Sequence, residues 1–164
     1  MEDRSGCSLV ACPACGALRA ADSSCEADFH TLLGWEHEFP AYGEVHHLLV
    51  LCYQLQHPHL YSIEGLVHAK GLIVDFLEGG KTTEQVRREK RGIVASSART
   101  WKVTARPGSC GAYAHPIKWS MTVLDVAADD HTRYRENVRR WADATLKDLR
   151  EAGEVQPFRM RRSR

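Results

Sequence analysis

The sequence has no apolar run approaching the ~20 residues that a membrane-spanning helix requires. Its first seven residues, Met1 to Cys7, are charged and polar and lack the apolar core of a secretory signal. These two features predict a cytoplasmic protein with no membrane contact. An excess of one charge sign is also missing. The 22 basic and 21 acidic residues leave a formal charge of +1, which argues against a dedicated electrostatic nucleic-acid binder. There is no G-x-S-x-G nucleophile elbow and no glycine-rich phosphate loop, so two common catalytic frameworks fall away. No helix carries a His-x-x-x-His pair of the kind found in DinB-like metalloproteins. No internal repeat is visible, and a second Cys-x-x-Cys is absent, which excludes an ordinary four-cysteine ribbon.

What the chain does have is a globular composition, 43% hydrophobic and 26% charged over 164 residues, enough to bury one domain's core. It also has six Cys and nine His, a high count for this length. In a reducing compartment structural disulfides are rare, so the thiols read as free or metal-binding. Cys7, Cys12, Cys15 and Cys25 crowd the first 25 residues, whereas Cys52 and Cys110 stand alone.

The pattern predicts a mostly α protein of about five helices, one domain over residues 9–155, with a disordered tail at 1–8 and a basic tail at 156–164. Pro13 and Gly16 punctuate residues 9–25, which read as a short hairpin or knuckle. The helical segments are Glu26 to Phe39, about Gly43 to His57, Ser62 to the Gly79-Gly80 stop, and one opening at Thr82. A last helix opens with Thr122 and Asp125 and runs to about Glu151, with Tyr134, Val138 and Trp141 on its apolar stripe. Residues 96–120 read as a long loop, with a short hairpin of Thr100–Thr104 and Ile117–Met121 as an alternative. A loop of that length is either functional or a clamp across the core.

Cys12-Pro13-Ala14-Cys15-Gly16 is the most specific motif. Two thiolates two residues apart can turn onto one ion, with proline stiffening the turn and glycine permitting positive φ. Cys25 is the nearest third thiol. A fourth ligand must come from farther along, and helix lengths select among the histidines. Two antiparallel helices of similar length bring the start of the first, beside Cys25, to the end of the second, at His57. His46 lies eleven residues away from His57, roughly 16 Å at the helical rise. The preferred set is therefore Cys12, Cys15, Cys25 and His57 around a structural Zn²⁺, with His46 as the alternative fourth ligand. The competing reading is a redox-active pair, which would need a strand and helix context that is not evident here.

Cys-Pro-x-Cys-Gly, a lone Cys, Val45-His46, and Tyr53 with Gln56-His57-Pro58 together resemble a family of small uncharacterised bacterial proteins, catalogued as a domain of unknown function. The resemblance covers roughly residues 10 to 80 well and the remainder loosely. It implies the same candidate ligands and supplies no substrate.

Two further readings compete for function. The first is an enzyme whose catalytic residues are His46 and His131, joined by His115, with Asp130 or Glu44 as carboxylate partner. Its metal- or base-dependent site would act on a small molecule between helix two, the 96–120 loop and the last helix. Trp101, Tyr113 and Trp119 could line that pocket or simply cap the core. The second is an adaptor for nucleic acid or protein that uses the basic face of Arg87, Arg88, Lys90 and Arg91.

Overall fold

The computed structural model describes residues 9–94 and 103–156, with side chains in the fourth helix described through Glu89. The expected tail at 1–8, nearly all of that at 156–164, Trp101, and the side chains of Lys90 and Arg91 lie outside the described residues.

Strands β1 (Leu9–Ala11) and β2 (Leu18–Ala20) pair antiparallel, with Leu9 opposite Ala20 and Ala11 opposite Leu18. The intervening turn closes through Cys12 N–H donating to the Ala17 carbonyl at 2.9 Å and Gly16 N–H donating to the Cys12 carbonyl at 2.8 Å. Gly16 takes φ 75°, a conformation that L side chains rarely adopt.

Helix α1 (Cys25–Glu38) begins where the Ser24 side chain accepts from Ala27 N–H. A 3₁₀ turn at Pro40–Val45 leads into α2 (His46–Gln56), and a second at Pro58–Leu60 ends it, because proline cannot continue an α-helix. Ser62 caps α3 (Ile63–Leu77) by accepting from Gly65 N–H. Thr82 and Gln85 exchange hydrogen bonds at the start of α4 (Thr83–Val94).

The single last helix expected from Thr122 to Glu151 is instead α5 (Val123–Ala127) and α6 (Tyr134–Glu151), joined by a 3₁₀ turn at His131–Arg133. The cause is local. Asp130 accepts from Thr132 N–H at 2.9 Å, and Asp129 accepts from Asp130 N–H at 2.8 Å. These short side chains offer the backbone an alternative to the helical ladder.

Helix α2 is the centre of the core. Its Leu49, Cys52 and Leu55 are fully buried together with Leu32 of α1, Ile73 of α3 and Trp141 of α6. Gln56, also fully buried, donates from Nε2 to the Met121 carbonyl at 2.7 Å and so fixes the loop that precedes α5.

The long loop forms no hairpin between Thr104 and Ile117–Met121. Thr104 instead bridges Tyr61, and Cys110 bridges Ser62. Ala105 N–H donates to the Leu60 carbonyl at 3.0 Å and Gly111 N–H to the Tyr61 carbonyl at 2.7 Å. Residues 60–62 carry backbone groups not consumed by a helix, and the loop satisfies them. It is therefore a clamp across the end of the α2–α3 connection. Among the described residues no helix is long and apolar enough to cross a membrane.

Candidate metal centre

Three separate segments deliver the donor atoms. The hairpin turn supplies Cys12 and Cys15, the first residue of α1 supplies Cys25, and the residue just after α2 supplies His57. His57 has left helical geometry, at φ −127° and ψ 63°, so its ring swings away from the helix axis toward the turn. One ligand atom from each of the four residues lies within 4.8 Å of the other three. Cys12 is half-buried, and the other three are buried.

The Cys15 and Cys25 sulfurs are 3.5 Å apart, and the Cys12 sulfur lies 3.7 Å from His57 Nε2. A tetrahedral ion with bonds of about 2.3 Å to sulfur and about 2.0 Å to nitrogen needs donor separations of about 3.5 to 3.8 Å. The donor set therefore fits such an ion in both spacing and type. His57 Nδ1–H donates to the Tyr53 carbonyl at 2.7 Å, which fixes the tautomer and leaves the Nε2 lone pair facing the thiols. Tyr53 in turn is stacked on Phe29 at 4.2 Å, so the backing residue is itself held from α1.

The protonation pattern follows from crowding. The hydrogen bond from Cys25 holds the Cys15 thiol far below its ordinary value, at about 4, while that shared contact and burial push Cys25 up. Burial opposes charge on His57, but the Cys15 thiolate and the Tyr53 carbonyl outweigh it and raise its pKa. Of these three donors only Cys15 is thus tuned toward its ligating form, and a cation would have to displace protons held by Cys25 and His57.

Arg19 was not anticipated. It is 7% exposed in the middle of β2, donating from Nη2 to the Cys25 sulfur and from Nη1 to Asp28, each at 2.7 Å. The one available signal was a charged residue in a three-residue strand between Leu18 and Ala20, and strand alternation does not say which side it faces.

The Cys-x-x-Cys lies in a hairpin turn and not at a helix N-terminus, so the helix dipole that activates thiol–disulfide enzymes is missing. Cys12, Cys15 and Cys25 are all free thiols. Cys52 is fully buried in the core, where burial raises its pKa, and Cys110 is exposed on the clamp loop.

The remaining histidines do not converge. His46 joins no sulfur, and its Nδ1 lies 2.6 Å from Glu36 Oε2. His131 is in the 3₁₀ turn before α6, stacked on Phe39 at 5.0 Å and 3.4 Å from the Tyr42 hydroxyl. Its place off the α6 stripe follows from the helix break at Asp130, whose carboxylate is already used as a cap. Glu44 pairs with Arg135 and Arg139. His115 lines a different feature, a cavity of about 750 Å³ between the cysteine turn, Pro58-His59 and residues 110–119. Among the described residues, no second group of three His, Cys, Asp or Glu side chains could share an ion.

The loop aromatics do both things expected of them: Tyr113 donates to the Leu55 carbonyl at 2.7 Å and packs edge-on to Trp119 against the core, and both line the cavity beside His115. On α4, Arg88 pairs with Glu84. Lys81, just before the helix, pairs with Glu89.

Comparison with known proteins places the chain in a family. The model described as "Family of unknown function (DUF5946)" matches residues 10–150. No curated protein and no solved structure matches the chain.

Proposed function

This chain belongs to the family of unknown function DUF5946, and from the site alone we propose that it is a zinc protein whose ion is structural. Cys12, Cys15, Cys25 and His57 are its four ligands. The observation that carries this reading is the closure of four donors from three segments within 4.8 Å. Three sulfurs and one imidazole suit Zn²⁺, and four protein ligands leave no open position for a substrate or water. The ion's chemistry here is that of a crosslink. It ties the β1–β2 turn to the start of α1 and the end of α2, and the hairpin itself adds little apolar surface, since Leu9, Val10 and Leu18 all face outward. Arg19 offsets the negative charge of the thiolates, and Tyr53 holds the imidazole in place. Free thiols at such a site belong in a reducing compartment, and we place the protein in the cytoplasm on that ground.

Elemental analysis of protein purified without added metal tests the proposal. The expected result is about one zinc per chain, with Cys15→Ser losing the metal and melting at a lower temperature. Metal-free protein with an unchanged melting temperature, or a Cys15→Ser variant as stable as the parent, would overturn it.

A further inference from the structure

At the other end of α2 from His57, a second arrangement of charged groups is unexplained by the zinc site. Glu36 of α1 has only 8% of its side chain exposed. Its Oε1 accepts from the Tyr134 hydroxyl at 2.8 Å, and its Oε2 meets His46 Nδ1 at 2.6 Å. Tyr134 is fully buried, so this carboxylate is anchored from behind. His46 has 55% of its side chain exposed. With Nδ1 committed to Glu36, the nitrogen left to meet a ligand is Nε2, a donor when the ring is charged.

His46 sits at the mouth of a cavity of about 310 Å³ bounded by α2, α3 and α4. That size is at the small end of ligand cavities. Val50, Leu72, Phe76 and Val86 give it a mostly apolar lining, to which Gln54 and Thr83 add polar groups, and of its cationic side chains His46 and Arg87 are exposed and His47 is half-buried. No aspartate or glutamate lines it. The neighbouring arginines are spoken for, Arg88 by Glu84 and both Arg135 and Arg139 by Glu44. Arg87 has no ion-pair partner among the described residues. An unpaired guanidinium and an oriented imidazole at the rim of an apolar cavity are complementary to a molecule with one anionic end and a short hydrocarbon body.

We propose that this cavity binds a medium-chain carboxylate. The hydrocarbon lies against Val50, Leu72 and Phe76, and the carboxylate meets Arg87 and His46 Nε2. Glu36 is a positioning residue that orients the imidazole. The site is independent of the metal, and either reading can fail without the other.

Isothermal titration of the full zinc-loaded chain with octanoate tests this, with 1-octanol and octylamine as matched probes. Octanoate is expected to bind one to one, and both control probes at least about tenfold more weakly, the usual scale for a charge-assisted contact. Arg87→Met alters an exposed side chain with no ion-pair partner among the described residues, so its melting temperature should match the parent's, and octanoate affinity should fall about tenfold both there and in His46→Gln. Octylamine or octanol binding as tightly as octanoate would overturn the proposal. So would octanoate affinity unchanged in both variants, or no octanoate binding at millimolar concentration.

Discussion

Arg19 bridges the Cys25 sulfur and the Asp28 carboxylate, 2.7 Å from each, from a nearly buried position. Three thiolates around a divalent cation leave one net negative charge, and a buried guanidinium offsets it. Arg19→Met should therefore release zinc to a chelator about 10- to 100-fold more readily, the range for residues that support metal ligands. Arg19→Lys should fall between the two, because one ammonium cannot fork to both partners. Zinc transfer to a chromogenic chelator measures this, and equal transfer from all three proteins would remove Arg19 from the site. Cys52 makes a different claim. Burial pushes its thiol up to about 12, against a usual value near 9. A folded-state pKa raised this way contributes stability that is complete below about pH 9 and is lost as pH rises toward 12. The parent's stability advantage over Cys52→Ala should thus shrink by about 2 kcal/mol by about pH 10.5, as read by urea unfolding. An advantage independent of pH would contradict the burial argument. The four residues that converge were legible at this scale because sulfur spacing and helix length are both local quantities. Arg19 and Glu36 were not. Their roles depend on partners six and nine residues away for Arg19, and ten and 98 for Glu36, whose directions no pattern encodes.

At the scale of elements, α3 offers a paired test of the clamp loop. Gly71 is exposed, and a methyl group added there would meet nothing within 4 Å, whereas a methyl on Gly65 would come within 2.6 Å of the Val103 carbonyl oxygen. Gly71→Ala should stabilise the protein by about 0.5 to 1 kcal/mol through helix propensity. Gly65→Ala has the same propensity gain but must push the loop backbone away, and should be destabilising by about 1 to 3 kcal/mol. Thermal melts of the two variants give the signs, and a stabilised Gly65→Ala would mean the loop does not rest on α3. Helix starts after Ser62, Thr82 and Thr122 were readable because each is a capping residue ahead of an apolar or charged helical run, whereas the Ser24 cap of α1 went unread. The break at Asp129-Asp130 was missed because the apolar spacing of Tyr134, Val138 and Trp141 continues smoothly from the preceding segment. Side-chain capping there competes with a pattern that looks unbroken. The loop's path was unreadable for another reason. Its partner segment, residues 60–62, is three residues long and sits between two helices, where no alternation can register.

For the whole molecule, a helical core stands apart from the cysteine lobe that the proposed ion would hold. Helices α1, α2, α3 and α6 bury Leu32, Leu49, Ile73 and Trp141 completely without help from the ion. The β1–β2 hairpin exposes Leu9 and Leu18 at 64% and 60%, so apart from the cysteine turn its attachment rests on buried Ala17 and the Arg19–Asp28 pair. Chelation should therefore free residues 9–24 first. Hydrogen exchange of the metal-free protein is expected to lose protection there and at the start of α1, while the α2 and α6 amides stay slow. Uniform loss across the chain would make the ion a determinant of the entire fold. A mostly helical molecule with a cysteine lobe was legible from composition and spacing, whereas the course of the loop over the surface was a tertiary outcome. The central claim concerns the atoms around the ion, and X-ray absorption at the zinc edge of the purified protein reads them directly. The expected shell is three sulfurs at about 2.3 Å and one nitrogen at about 2.0 Å. A shell of oxygen and nitrogen alone, or of four sulfurs, would contradict it.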